Sequence, residues 1–284
     1  MDAPTVFVES VSKPLCKVPG MNFGNMPADG GFLLFSSNEK NDFIQKEPQS
    51  SAYFRQIYGS DEFINGRERW CLWLYGKKID DFEQMPLIKE RIDNVRKIRL
   101  RSSRPHLAET PHLFAQITQP LGIPFIIIPS VSSERREYIP MGYLDSSKLA
   151  TNLCMVIGTK DIFLFAVLTS KMHMVWVKTV GGRLKTDYRY SAQLCYNTFP
   201  FPAISESQKS ELEELAQEVL DIRDEHFDMT LGEMYNPETM PDDLKDVHRR
   251  LDLAVERCYR LEPFTSDEER LECLFNLYVK MTKK

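Results

Sequence analysis

Residues 197–205 set two prolines, Pro200 and Pro202, ahead of a serine, and the chain obeys different periodicities on either side of them. Downstream, Ser205 or Ser207 can cap a helix, with acidic residues in the turns that follow. Leu212, Leu215, Val219 and Ile222 then recur at helical spacing, as do Leu244, Val247, Leu251 and Val255, and after them Leu271, Leu274, Leu277 and Met281. Proline lacks the amide proton that a helix interior needs, so Asn236-Pro237 and Met240-Pro241 separate the first helix from the second. Glu262-Pro263 separates the second from the third. Residues 205–284 are therefore predicted to form a small all-helical C-terminal domain of three helices.

Residues 1–204 read differently. Short β-rich runs at 31–35, 71–75, 125–128 and 152–157 are separated by turn residues and a few helices. The fold class expected is α+β, a mixed α/β domain over residues 1–204 followed by the helical domain over 205–284. Two helices stand out in the first part. Residues 86–101 align Ile88, Ile92, Val95 and Ile98 along one stripe and spread Lys89, Arg96, Lys97, Arg99 and Arg101 over the remainder. Residues 161–179 are apolar nearly all round, which predicts one buried helix ended by Gly181-Gly182.

Several classes are disfavoured. The longest apolar stretch is interrupted by Lys171 and His173 and falls short of the ~20 apolar residues a bilayer span requires. The first six residues have neither a basic nor an apolar segment suited to export, and six cysteines lie scattered without a Cys-x-x-Cys pair. A reducing, cytoplasmic setting without a membrane is expected. The net charge of −5 conceals an asymmetry. Residues 205–284 hold 11 Lys/Arg against 21 Asp/Glu, a balance of −10, whereas residues 86–191 hold 16 against 8, a balance of +8. A basic middle beside an acidic tail suits a protein that presents one face to a polyanion and another to protein or solvent.

No catalytic constellation emerges. There is no Gly-x-Gly-x-x-Gly or Gly-Lys-Ser/Thr loop, and Gly158-Thr159-Lys160 has the wrong order for one. Ser37-Asn38-Glu39-Lys40 matches Ser-x-x-Lys in letters only. The five histidines never stand at metal-ligand spacing, and His173, among Met172, Met174 and Trp176, reads as a buried structural histidine. Asn236-Pro237-Glu238-Thr239 lacks the second proline and the aromatic of an amino-methyltransferase site and reads as a helix-capping sequence.

Candidate binding residues fall in three places. Arg183, Lys185, Asp187 and Arg189 alternate with Leu184, Thr186 and Tyr188, so in one extended strand the four charges share a face. That face can read base edges, or it can simply face water. Tyr188 and Tyr190 can belong to the core instead. Ser132, Ser133, Arg135 and Arg136 form a second cluster that can meet phosphates or guanine, or be a solvated turn with local Glu-Arg pairs. Arg96, Lys97, Arg99 and Arg101 on the basic helix offer a third, with an ordinary solvated surface as the alternative.

Four stretches, residues 21–32, 131–143, 170–176 and 181–191, together resemble the target-recognition domain of the type IIL, MmeI-like restriction-modification enzymes. The most specific part is Gly182-Arg183-Leu184 with Tyr188-Arg189-Tyr190-Ser191, followed by Tyr196-Asn197-Thr198-Phe199-Pro200-Phe201-Pro202. The acidic tail resembles that family's C-terminal domain. The resemblance implies a double-stranded DNA reader that positions an adenine for a methyltransferase catalytic domain, in cis or in trans. It implies S-adenosylmethionine in that other domain and no cofactor, metal or catalytic residue in this chain. In this reading Lys185, Asp187, Arg189 and Arg183 read bases, and the tail packs on the recognition part or on the catalytic part. The competing expectations are a protein-interaction subunit or type I-like specificity subunit whose acidic tail docks a partner, and an enzyme with an unfamiliar site.

Overall fold

A computed structural model describes residues 7–283; the first six residues, read above for export, lie outside the described residues. In chain order the elements begin β1 (Asn22–Phe23), β2 (Leu34–Phe35), α1 (Ser37–Lys46), β3 (Phe54–Tyr58), α2 (Ser60–Ile64), β4 (Trp70–Leu72) and α3 (Pro86–Leu100). They continue β5 (Phe125–Pro129), β6 (Val131–Ser132), β7 (Gly142–Leu144), β8 (Leu149–Ala150), β9 (Cys154–Gly158), α4 (Phe163–Leu168) and α5 (Lys171–Val180). The hairpin strands β10 (Gly182–Leu184) and β11 (Asp187–Arg189) follow, and α6 (Glu206–Glu225), α7 (Leu231–Met234), α8 (Asp242–Arg257) and α9 (Asp267–Thr282) complete the chain. The architecture is mixed α/β followed by helices, as the periodicities predict.

The central sheet runs β1-β9-β5-β7, antiparallel throughout. Every residue of β5 is buried, because the sheet is covered on both faces and successive side chains enter different cores. Ile126 and Ile128 join Met155 and Ile157 in the large core beneath α4, α5 and the tail. Phe125 and Ile127 join Cys154, Val156 and Phe63 in a smaller core on the other face. A second sheet, β2-β4-β3-β8, packs with α1 and α3 around Phe35, Phe54, Leu72, Ile88, Ile92 and Val95. The third sheet, β10-β11-β6, has three short antiparallel strands.

The helix expected over residues 161–179 is two helices. Thr169 donates its hydroxyl to the Phe165 carbonyl at 2.9 Å, and Ser170 donates to the Val167 carbonyl at 2.7 Å, so both compete with the backbone ladder at that point. Ser170 then caps α5 by accepting from the His173 amide. The α5 helix ends where expected, at Gly181, whose N–H reaches the Val177 carbonyl at 2.9 Å.

Ser205 rather than Ser207 caps α6, in a reciprocal capping box with Gln208. The three predicted tail helices form, joined by the short α7 that the periodicity did not announce. The buried stripe of α9 is Arg270, Leu274 and Tyr278, while Met281 points outward. The tail is not a separate core. Leu212, Leu251 and Leu274 belong to the same apolar cluster as Ile126, Phe165 and Trp176, so the hydrophobic interior runs uninterrupted across residue 204.

Candidate nucleic-acid interface

The segment expected to be one charged strand reverses on itself. Cα register pairs Gly182 with Arg189, Arg183 with Tyr188 and Leu184 with Asp187, which leaves Lys185 and Thr186 as a two-residue turn. Lys185 adopts a left-handed backbone (φ 57°), the conformation that such tight hairpin turns demand. Directly opposed residues share a face, so the expectation that four charges project together is corrected. Asp187 and Arg189 lie on one face with Leu184, and Lys185 occupies the exposed tip. Arg183 lies on the other face, its guanidinium 4.0 Å from the Tyr188 ring centroid and bonded to the Thr186 carbonyl at 3.2 Å.

The hairpin is anchored from below. Tyr188 and Tyr190 are both buried, as core tyrosines. The Tyr190 amide bonds the Ser130 carbonyl at 2.9 Å, and its hydroxyl meets His173 Nε2 at 2.9 Å. Burial pushes the His173 imidazole down to about 3, so it is neutral and serves as a structural partner.

Strand β6 pairs with β11, setting Ser132 opposite Tyr188 and Val131 opposite Arg189. The loop that follows β6 therefore starts beside the hairpin, and two of the three candidate clusters meet in one sheet. Ser132 is buried and does not face outward; its hydroxyl accepts from Arg136 Nη1 at 3.4 Å. Ser133 is half-buried and its hydroxyl accepts from the Arg135 amide at 3.4 Å, a local turn contact. Arg136 is half-buried, and burial lowers its guanidinium from the usual value while the Asp187 carboxylate of the hairpin opposes that shift. Arg135 is exposed and ion-paired with Glu238, which lies in the turn between α7 and α8.

The third cluster lies on a different layer, since α3 packs on the β2-β4-β3-β8 sheet. Arg99 is a further correction. It is buried, with Nε donating to Ala28 O at 3.0 Å, Nη1 to Leu107 O at 3.1 Å and Thr110 O at 2.9 Å, and Nη2 to Pro27 O and Leu113 O at 2.8 Å. All five guanidinium donors are consumed by carbonyls and none is left for a phosphate. Arg96 pairs with Asp93 at 3.3 Å, Lys97 is 3.5 Å from Asn94 Oδ1, and Lys97 and Arg101 are exposed.

A cleft of about 460 Å³ opens beside the β6–β7 loop, between Arg135, Arg136 and Tyr138 on one side and Lys171, Tyr235 and Lys245 on the other. The tail contributes Glu238 to this region; its tetrapeptide Asn236-Pro237-Glu238-Thr239 reads from the sequence as helix-capping, not as a partner for Arg135. Only the Asn236-Pro237 turn signalled that the chain bends there. Among the described residues, no group of three or more His, Cys, Asp or Glu is placed to hold a metal ion, and no helix is long and apolar enough to cross a membrane.

A charged hairpin and an arginine loop are thus held together on a short sheet, over a core shared with the helical tail. Residues 2–203 match the MmeI target recognition domain family and residues 204–284 match the MmeI C-terminal domain family. The chain belongs to the MmeI family, of which it carries the target recognition domain and the C-terminal domain. It is 49% identical over 286 residues to DNA methyltransferase A of Bacillus subtilis (strain 168), covering 100% of this chain and 32% of that protein. It superposes on a solved structure of the type IIL restriction-modification enzyme MmeI in complex with DNA, with a TM-score of 0.93 and 41% identity over 99% of this chain and 38% of that one. The chain thus spans about a third of the length of these relatives.

Proposed function

We propose that this chain reads a short double-stranded DNA sequence in the major groove and so positions an adenine for methylation by a catalytic domain outside residues 1–284. That domain, in cis or in trans, is where S-adenosylmethionine binds, and the cytoplasm is where the assembly works. The reading is supported above all by one juxtaposition: the hairpin tip with Lys185, Asp187 and Arg189 beside Arg135 and Arg136 of the β6–β7 loop. Arg and Lys donate to guanine edges and Asp accepts from the cytosine amine, so a mixed tip carries sequence information that a purely basic one lacks. Lys97 and Arg101, on a separate layer, are left the role of general phosphate contacts.

The test is selection from a pool of duplexes randomised over about ten base pairs, sequencing what the chain retains, followed by titration of the enriched duplex across a salt series. Enrichment of one short sequence, with affinity falling steeply as salt rises, is expected. Retention without sequence enrichment would leave a general polyanion binder and refute the readout.

A further inference from the structure

We infer that Asp252 and Tyr138 form a buried clamp by which the helical tail fixes the geometry of the DNA-reading loop, which makes both of them positioning residues for sequence discrimination; this rests on the function proposed above. Asp252 lies on α8 and uses both of its carboxylate oxygens outside the tail. Oδ2 accepts from the Tyr138 hydroxyl at 2.6 Å, and Oδ1 accepts from the Lys171 amide at 2.6 Å. Tyr138 is two residues beyond Arg136, within the β6–β7 loop. Lys171 is the first residue of α5, the helix whose other end runs through Gly181 into the β10–β11 hairpin. One carboxylate therefore ties the β6–β7 loop and the first residue of the helix that leads to the hairpin to a single point on the tail.

The surrounding contacts grip the same stretch. His248, one turn before Asp252, stacks on the Tyr138 ring at a centroid distance of 4.3 Å. Arg223 of α6 donates to the Met141 carbonyl at 2.6 Å and to the Tyr235 hydroxyl at 2.8 Å. That hydroxyl already receives the Arg223 proton and so donates its own to His248 Nε2, 2.7 Å away, which assigns His248 as a neutral acceptor. Burying an aspartate, a guanidinium and an imidazole where well-packed apolar side chains of similar volume would fit brings no net gain in stability. A tail that served only to close the core would do so at least as well with leucines. The directional bonds instead specify where residues 138–141 lie, and with them the loop carrying Arg135 and Arg136.

The experiment uses the full chain with Tyr138→Phe and Asp252→Asn, both close to isosteric, and two readouts. Amide hydrogen exchange is measured first: residues 133–137 and the first turn of α5 lose at least tenfold protection in either variant, while the β2-β4-β3-β8 sheet keeps the wild-type rate. Discrimination is measured second, as the ratio of Kd for a random duplex to Kd for the duplex enriched from the pool. It falls at least fivefold, with affinity for the random duplex unchanged. Unchanged loop exchange in both variants would remove the clamp, whatever the DNA result. A loosened loop with intact discrimination would overturn its role in reading. Should the wild-type chain enrich no sequence, it is the DNA reading that fails, and the exchange data still decide whether Asp252 orders the loop.

Discussion

Tyr188 lies directly opposite Ser132 in the β11–β6 pairing. This one register brings two charged segments some fifty residues apart in sequence into the same sheet, with Tyr188 buried beneath them and the polar ends of both segments at the surface.

Exchanging the charges at the tip tests direct readout. The Lys185 ammonium donates and the Asp187 carboxylate accepts, a pattern complementary to a guanine and its paired cytosine. With Lys185→Glu and Asp187→Arg together, the preferred orientation of one base pair in the enriched site should invert, and preference there should move by about one to two orders of magnitude. Sequencing the selected pools of the two proteins gives the answer. A uniform loss of affinity across all sequences would assign these residues to phosphate.

Arg99 should behave as a core residue. Arg99→Met leaves the carbonyls of Pro27, Ala28, Leu107, Thr110 and Leu113 without their donor and should cost roughly 3 kcal/mol or more, read as a lower urea midpoint. Arg101→Met, on the exposed end of the same helix, should stay within about 0.5 kcal/mol of wild type. Equal stabilities for the two variants would show that the five bonds do not hold that corner of the fold.

Glu238 should restrain Arg135 more than it stabilises the protein. Both side chains are exposed, 61% for Arg135 and 71% for Glu238, and a pair of that kind contributes only ~0–1 kcal/mol. Glu238→Gln is expected to leave the melting temperature unchanged and to tighten binding to a random duplex severalfold at low salt, because one basic side chain is released and one acidic one removed. Weaker binding would mean that the pair presents Arg135 to DNA instead of withholding it.

Stability should carry the signature of Asp252. Burial raises its carboxyl pKa to about 7, and the Tyr138 hydroxyl and Lys171 amide offset this only in part, while Glu256 adds to it. An unfolded aspartate titrates near ~3.9, so between these values the folded chain holds one more proton than the unfolded one. Its contribution is therefore full below about pH 4 and is lost as the pH rises through 7. The stability of wild type relative to Asp252→Asn should fall between pH 5 and 7, by at most ~1.4 kcal/mol per pH unit. Urea unfolding at several pH values checks this, and a difference independent of pH would place the titration elsewhere.

The tail helices and a serine cap at Ser205 or Ser207 were legible because helical period and capping chemistry are local. The hairpin was not, because the turn residues Lys185-Thr186 carry no glycine or asparagine, and an alternating pattern reads the same whether or not the strand folds back. Arg99 was visible in principle. The buried positions Ile88, Ile92, Val95 and Arg99 follow helical spacing, whereas Ile98, assigned to the stripe, is 40% exposed. An arginine on a core stripe looks like a violation until five carbonyls converge on it, and their convergence is tertiary. The same holds for Asp252, which follows Leu251 on α8 and whose partners lie 114 and 81 residues away.

The interior that runs without a seam from Ile126 through Trp176 to Leu251 limits how such proteins can be recombined. A crossover at residue 204 would join two family segments neatly in sequence and yet set one lineage's α6, α8 and α9 against another's α4 and α5. Hybrids cut there inherit mismatched halves of a single jigsaw. By contrast, the exposed side chains at Lys185 and Arg189 touch little of that interior, so they are free to vary while the piece that carries them is inherited whole.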